Sequence, residues 1–427
     1  MNRRNFLKEA AAAGLAVNIA GAQSRAGKYR TATVGTGWWG MNITRCAMES
    51  GASKMVALCD VDENQLNPAA VEVTRLSGDE PKKYKDYREM LAKEKPEVVI
   101  VGTPDHWHPL VAIAALNAGA HVYVEKPICH TIREGRAMVN AARAANRVVQ
   151  VGTHRRVSPH NVSGMDFLRS GKAGRISMVR AFVHTPGSAG QKTPDTDPPA
   201  GLDWDLWCGP APLRAYNKSL HPRSFRYFLD YANGVCGDWG IHWFDQILWW
   251  TEEKWPRKVY STGGRFFKQD NTDAPDTQVA TFEFESFRAV WEHRQYAGNN
   301  AEKTNIGCYF YGTEGTFHMG WLDGWNFYPT DPKKPAIHQD PSLNKPDNQN
   351  IRELFANFLE AIRTGGRPAC DIEIGHRSTN MSLLAMLSLK VGRSVEWDGE
   401  KERIVGDEEA AKLLSRAYRA PWKYPQA

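Results

Sequence analysis

Residues 30–34 read as a short strand that leads directly into Gly35-Thr36-Gly37-Trp38-Trp39-Gly40, and residues 40–49 then carry a helical pattern. A strand that becomes a helix through G-x-G-x-x-G leaves few folds open. Gly35 permits the tight turn, Gly37 lets main chain approach a pyrophosphate, and Gly40 lets the helix pack closely on the strand. The first turn of such a helix presents unpaired N–H groups and a positive dipole end to phosphate. Asp60 lies twenty residues past Gly40, at the end of a second strand over 55–59. A carboxylate there accepts the ribose hydroxyls of NAD and repels the 2′-phosphate of NADP. Asp62 stands near enough to share that preference.

The same alternation continues. Apolar runs at 97–101, 121–124 and 148–151 are interleaved with helical patterns at 67–76, 87–92, 109–118 and 131–145. Buried strands spaced by helices predict a doubly wound parallel sheet, the Rossmann arrangement, over residues 28–151. Past Gly152 the texture changes. Residues 185–225 are rich in Pro, Gly and Trp and read as a long structured loop, and 237–250 reads as one helix. Period-two runs at 258–263, 278–285, 289–295, 305–311 and 316–320 predict an antiparallel sheet, with turns such as Gly312-Thr313-Glu314-Gly315. A polar, Pro-rich stretch at 329–349 reads as a surface loop, and helices return at 351–363, 375–391 and 408–419. A second domain therefore spans 152–427.

Composition narrows the partners. The net charge is +6, of which residues 1–22 supply +2, and no Lys/Arg stripe is interleaved with aromatics, so nucleic acid is not an expected partner. The seven cysteines are dispersed, odd in number and without a C-x-x-C pair, which points to buried thiols. Arg3-Arg4 precede an Ala-rich apolar run over 10–20 and then Ala20-Gly21-Ala22. That pattern resembles a twin-arginine export signal with its linker over residues 1–27, and implies a periplasmic destination. The run is too short to span as a stable transmembrane helix. Fifteen tryptophans, concentrated between Trp204 and Trp325, promise flat apolar walls for a pocket, an interface or a core.

Two segments fall at the carboxyl ends of later strands, where ligands bind in such sheets. They are Thr103-Pro104-Asp105-His106-Trp107-His108 and Glu125-Lys126-Pro127. The first invites a metal reading, but no second cluster with ligand spacing accompanies it, and no metal is expected. Asp238 and His242 lie four residues apart on the helix predicted over 237–250, so both would face one side. An imidazole oriented by a carboxylate is a proton relay, suited to an alcohol that loses hydride from its carbon. A capping aspartate and a buried histidine would give the same spacing.

The runs GTGWWG, CDVD, TPDHWH, EKP, VGTHRR and FRYFLDYANGVCGDWGIHWFD together resemble the glucose–fructose oxidoreductase and inositol dehydrogenase family (Gfo/Idh/MocA) over nearly the whole chain past the leader. The resemblance implies a Rossmann domain followed by an α/β domain with a large open, mostly antiparallel sheet. It places Gly35, Gly37, Trp38, Trp39, Gly40, Asp60, Thr103, Pro104, His108, Glu125 and Lys126 around NAD, with NADP less favoured. It makes Lys126, Asp238 and His242 catalytic. Lys126 would hold the reacting oxygen and stabilise its charge as the carbonyl forms or collapses, with Pro127 shaping the site. Arg155 resembles a position that contacts substrate oxygens, and Arg226 and Tyr231 are candidates for the pocket wall. His154 has no assigned role, and Trp204 and Trp207 either close over a ring or anchor their loop.

The implied activity is hydride transfer between a tightly bound nicotinamide and a hydroxyl or carbonyl of a sugar, glycoside or polyol. A periplasm supplies no free NAD(H) pool, so the cofactor would travel inside the folded enzyme and be regenerated there. The alternative is a redox-neutral glycoside hydrolase or epimerase that passes through a keto-sugar and returns the hydride. Family members pair their open sheets, which implies a homodimer or homotetramer here.

Overall fold

The computed structural model describes residues 27–345 and 347–426; the arginine pair and apolar run expected to form an export signal lie outside them. The first sheet holds β1 (Tyr29–Val34), β2 (Ser53–Cys59), β3 (Lys82–Tyr84), β4 (Val98–Val101), β5 (His121–Val124) and β6 (Val149–Val151). Its order is β3-β2-β1-β4-β5-β6, and every pairing is parallel. Helices cover both faces, so Val98, Val99, Ile100 and Val101 are all fully buried. The order reverses between β1 and β4, and the crevice at such a reversal is where doubly wound sheets bind ligands.

The second sheet has ten strands: β7 (Ile176–His184), β8 (Lys258–Gly264), β9 (Thr277–Glu283), β10 (Arg288–Arg294), β11 (Ile306–Gly312), β12 (Gly315–Gly320), β13 (Trp325–Pro329), β14 (Ile337–Gln339), β15 (Val395–Asp398) and β16 (Arg403–Val405). Only the β7–β10 pair is parallel. Alternate residues face inward, as in β9, where Gln278, Ala280 and Phe282 are buried and Val279 and Thr281 are exposed. Helix Gly240–Trp250 lies on that inner face, with Phe244 against Phe282 and Trp291 at ring-centroid distances of 5.1 and 5.5 Å. All seven cysteines are buried and free.

Three expectations change. The helix expected over 237–250 is two, Gly234–Asp238 and Gly240–Trp250, separated at Trp239. Gly234, Gly237 and Gly240 fall within one short stretch, where each weakens a continuous helix. Asp238 and His242 therefore do not share a helix face. The terminal helix is only Glu408–Lys412, because the following chain is drawn into side-chain bonds: Arg416 to Glu134 and Arg419 to Asp205. The stretch 329–349 is not purely loop, since β14 adds an exposed edge strand to β13.

The segment around 199–231 forms a small core of its own, in which Leu202, Trp204, Trp207, Phe225 and Tyr231 pack with Val61. It is laced to the end of β2 by Asp203 N to Val61 O and Glu63 N to Gly201 O, both 2.9 Å. The crevice is thus covered from the side of the second domain.

Candidate active site

A cavity of about 570 Å³ runs from the glycine turn after β1 to His242. At one end its wall is main chain. Gly35 has φ +89°, and a Cβ on it would lie 2.6 Å from the Gly102 carbonyl carbon. A Cβ on Gly40 would lie 1.9 Å from the Gly35 oxygen. Turn, helix and β4 therefore pack too closely for any side chain, and Gly40 does not itself line the cavity. Gly37 differs: it lines the cavity, and nothing lies within 4 Å of where its Cβ would be. The helix Trp38–Glu49 that follows has no side-chain cap. Free first-turn N–H groups facing open space fit a dinucleotide's diphosphate.

Asp60 stands beside them. Its Oδ2 accepts from Thr36 N at 2.7 Å and Thr36 Oγ1 at 3.0 Å, and its Oδ1 from Asp62 N at 3.0 Å. Burial pushes this carboxyl up, and those hydrogen bonds oppose the push. The bonds fix the carboxylate at the cavity wall, where a ribose would lie. Asp62 is engaged otherwise: it caps the helix Glu63–Ser77 and lies 3.5 Å from His221. Trp38, Trp39, Thr103, Pro104 and Glu125 also line the cavity. His108 does too, but its Nδ1 is 2.8 Å from Pro127 O and its Nε2 2.8 Å from Thr103 O. Both nitrogens face carbonyls, so His108 braces the two loops against each other and offers neither nitrogen to a nucleotide. His106 turns away to Trp207 O, at 2.9 Å.

At the other end the wall is side chains. Lys126 Nζ donates to Asp238 Oδ1 at 2.7 Å and Asp238 O at 2.9 Å, and Arg226 Nε donates to the same Oδ1 at 3.1 Å. Burial alone would raise Asp238, but the Lys126 and Arg226 charges hold it down to about 2. His242 lines the same cavity with Nδ1 unpartnered. Burial, reinforced by the Lys126 and Arg155 charges, pushes its imidazole well below the ordinary value. The expected Asp238–His242 couple is replaced by a Lys126–Asp238–Arg226 trio, with His242 set among the rings of His154, Trp239 and Trp321. The break at Trp239 is the cause.

Tyr231, a candidate for the pocket wall, lies elsewhere, and of the two readings left open for Trp204 the loop anchor is the one observed. Tyr231 is fully buried and donates to Pro212 O at 3.0 Å, so it belongs to the core of the covering segment. Trp204 stacks on Trp207 at 4.7 Å within that core, and of the two only Trp207 lines the cavity. Arg155 is buried just outside the lining, with its guanidinium over the Trp321 ring. Sequence reasoning passed over Asp105, a lining carboxyl that burial raises to about 7 against the nearby Arg226 charge. It was legible only as a neighbour of two histidines. Trp321, on the β12–β13 turn, and Trp422, in the C-terminal tail, also line the cavity and carried no spacing signal.

Comparison with known proteins gives two adjoining family matches. Residues 29–153 match a family model described as an oxidoreductase family with an NAD-binding Rossmann fold. Residues 186–424 match its partner, the oxidoreductase family's C-terminal alpha/beta domain. Inositol 2-dehydrogenase of Salmonella typhimurium is 30% identical over 164 residues, which is 38% of this chain and 48% of that one. Alpha-N-acetylgalactosaminidase of Tannerella forsythia is 31% identical over 169 residues, 33% of this chain and 36% of that one. The matched stretches thus span about half or less of these relatives. A solved structure of levoglucosan dehydrogenase with NADH and levoglucosan superposes with a TM-score of 0.67 at 20% identity, covering 86% of this chain and 99% of that one.

Proposed function

The chain belongs to the Gfo/Idh/MocA oxidoreductase family, and from that premise we propose that it transfers hydride between a bound NAD and a hydroxyl or carbonyl of a sugar, glycoside or polyol. One observation carries the reading: the glycine turn, Asp60, Lys126, Asp238 and His242 all line a single cavity. The names of the relatives, inositol and levoglucosan dehydrogenases among them, agree with a polyhydroxylated substrate.

Gly37, the first turn of the helix Trp38–Glu49 and Asp60 would hold the diphosphate and the ribose. A nicotinamide, when bound, would supply the two-electron acceptor or donor. Two of the three Lys126 ammonium protons are spent on Asp238, which leaves one to hold the substrate oxygen. Asp238 stays ionised at any physiological pH and keeps two cations fixed. His242, neutral at neutral pH, can take the carbinol proton on its open nitrogen. Asp105, which burial raises to about 7, is a second titratable group on the same cavity wall. Trp239 and Trp321 offer flat faces to a sugar ring and exclude water.

A specific arrangement favours a second reading, in which the nucleotide is recycled and the net reaction is glycoside cleavage or epimerisation. The covering segment and the tail, where Trp422 meets Trp107 at 4.7 Å, line one side of the cavity and would slow exchange. The galactosaminidase relative agrees with it. Twin-arginine export with cofactor aboard, and homo-oligomerisation through the ten-stranded sheet, complete the proposal. The test is to purify the protein, identify any released nucleotide, and incubate it with free polyols and with aryl glycosides without added cofactor. Reduced nicotinamide appearing with a free polyol supports the dehydrogenase. Phenol release without net reduction supports the recycling enzyme, and neither response to any substrate contradicts both.

A further inference from the structure

Beside His242 the reacting end holds buried basic side chains, Arg155, His154 and His160, that this chemistry leaves unused. Arg155 is 2% exposed, yet its Nε, Nη1 and Nη2 have no hydrogen-bond partner among the described residues. Its neighbours in kind are paired: Arg156 grips Asp245 at 2.8 Å, Arg226 reaches Asp238 at 3.1 Å and Arg416 reaches Glu134 at 3.0 Å. Among the described residues no carboxylate pairs with Arg155, and burial draws its guanidinium down to about 9. Around it stand His154, His160 and His242, with His154 Nδ1, His160 Nε2 and His242 Nδ1 likewise unpartnered. The charges acting on these imidazoles come from Arg155, Lys126 and one another, with no acid among them. A buried cation without a counter-charge is strongly unfavourable, and that cost is recovered when an anion arrives.

The group adjoins the cavity, with Arg155 just behind its lining. Arg155 directly follows His154, which lines it, and lies 3.9 Å over the ring of Trp321, which also lines it. Stacking occupies the face of a guanidinium and leaves its N–H donors free in the plane. Gln349, another lining residue, has its Oε1 buried and unpartnered. The Lys126–Asp238–Arg226 trio is different, because its two cations share an acid.

We propose that Arg155 recognises a carboxylate and that the substrate is a sugar acid, an aldonic or uronic acid whose carboxylate takes the arginine fork while a ring hydroxyl faces Lys126 and His242. This rests on the sugar-oxidoreductase reading above and narrows it. A carboxylate suits the site better than a phosphate, since one unpaired guanidinium matches a monoanion and leaves half of a dianion's charge unmet.

Binding tests it directly. Tryptophan fluorescence of the NAD-loaded protein would be titrated with glucuronate against glucose, galacturonate against galactose, and glucose 6-phosphate. At least one uronate should bind roughly 10- to 100-fold more tightly than its neutral partner, the worth of a charge-assisted hydrogen-bond pair. Arg155→Gln should reduce that preference to within about twofold, and Arg155→Lys, which keeps the charge without the fork, should retain part of it. Without sugar, Arg155→Gln should melt at or above the wild-type temperature, because it removes an unpaired buried charge. Uronate should then raise the melting temperature of the wild type alone. The proposal is overturned if no uronate is preferred, if glucose 6-phosphate binds more tightly than glucuronate, if Arg155→Gln keeps the preference, or if it melts well below wild type. Uronate preference without nicotinamide reduction would sink the oxidoreductase reading and leave the carboxylate site standing. Reduction by neutral sugars that Arg155→Gln leaves intact would do the reverse.

Discussion

At the nucleotide end of the cavity, recognition is built from main chain: three glycines, an uncapped helix start and a carboxylate pinned by backbone N–H groups. At the reacting end it is built from side chains delivered by separate segments: Lys126 after β5, Asp238 and His242 on either side of a helix break, and Trp321 on a hairpin turn. The first kind of site works through space and fixed dipoles. The second works through charge, and its groups hold one another at unusual protonation states. Substitutions at the two ends should therefore fail in different ways.

The largest effect belongs to the reacting end. Lys126→Met and His242→Asn should each lower kcat/KM by roughly 100- to 10,000-fold while NADH affinity stays near wild type. Steady-state kinetics beside NADH fluorescence titration checks this, and parallel losses in both would dissolve the distinction between the ends. Next comes a pair of glycines. Gly40→Ala drives a methyl group into the Gly35 carbonyl and should destabilise the fold by roughly 1–3 kcal/mol or more. A Cβ on Gly37 meets nothing within 4 Å, so Gly37→Ala should melt close to wild type, and the bulkier Gly37→Val should bind NADH about tenfold more weakly or worse, near 1.4 kcal/mol. A Gly37→Val protein that keeps its NADH affinity would show that no phosphate lies there.

The histidines sharpen the contrast through pH. Burial pushes His106, His130, His154 and His242 well below 6.5. The unfolded chain takes up protons at 6.5 that the folded chain refuses, so stability should fall as pH drops below that value. Asp105 acts the other way, its contribution full below 3.8 and lost as pH rises through about 7. Among the described residues three carboxyls are raised, Asp60, Asp105 and Glu125, against nine imidazoles that are lowered, which leaves acid destabilisation dominant. A melting temperature that stays flat or rises on acidification from 6.5 would contradict the buried neutral rings. The smallest effect is Tyr231→Phe, which should cost about 1 kcal/mol of stability in urea unfolding and leave turnover unchanged. A loss of turnover there would return Tyr231 to the pocket wall.

The same contrast decides what could be read from the sequence. The glycine turn, Asp60 and the β4 run Val98–Val101 were legible because main-chain sites depend on local spacing, and buried strands on continuous apolar runs. The ten-stranded sheet was legible in kind, but β7, β13, β14, β15 and β16 were missed. In β7, Arg180 points outward to Glu292 and Glu302 and interrupts the apolar pattern. At the reacting end, four-residue spacing suggested an Asp238–His242 couple, which the glycine-induced break at Trp239 undoes. The partners that Asp238 takes instead lie 112 and 12 residues away, beyond any periodicity. Trp321, Gln349 and Trp422 reach the cavity by tertiary folding alone.

The central claim is that one cavity brings a nicotinamide and a carbinol together at Lys126 and His242. Single-turnover mixing of the NAD-loaded protein with a polyol or sugar-acid panel, followed by absorbance of the reduced nicotinamide, tests it most directly. A burst of reduced nicotinamide, up to one per chain, is expected from the wild type, and none from Lys126→Met or His242→Asn loaded to the same extent. Equal bursts from the wild type and either variant would contradict the account.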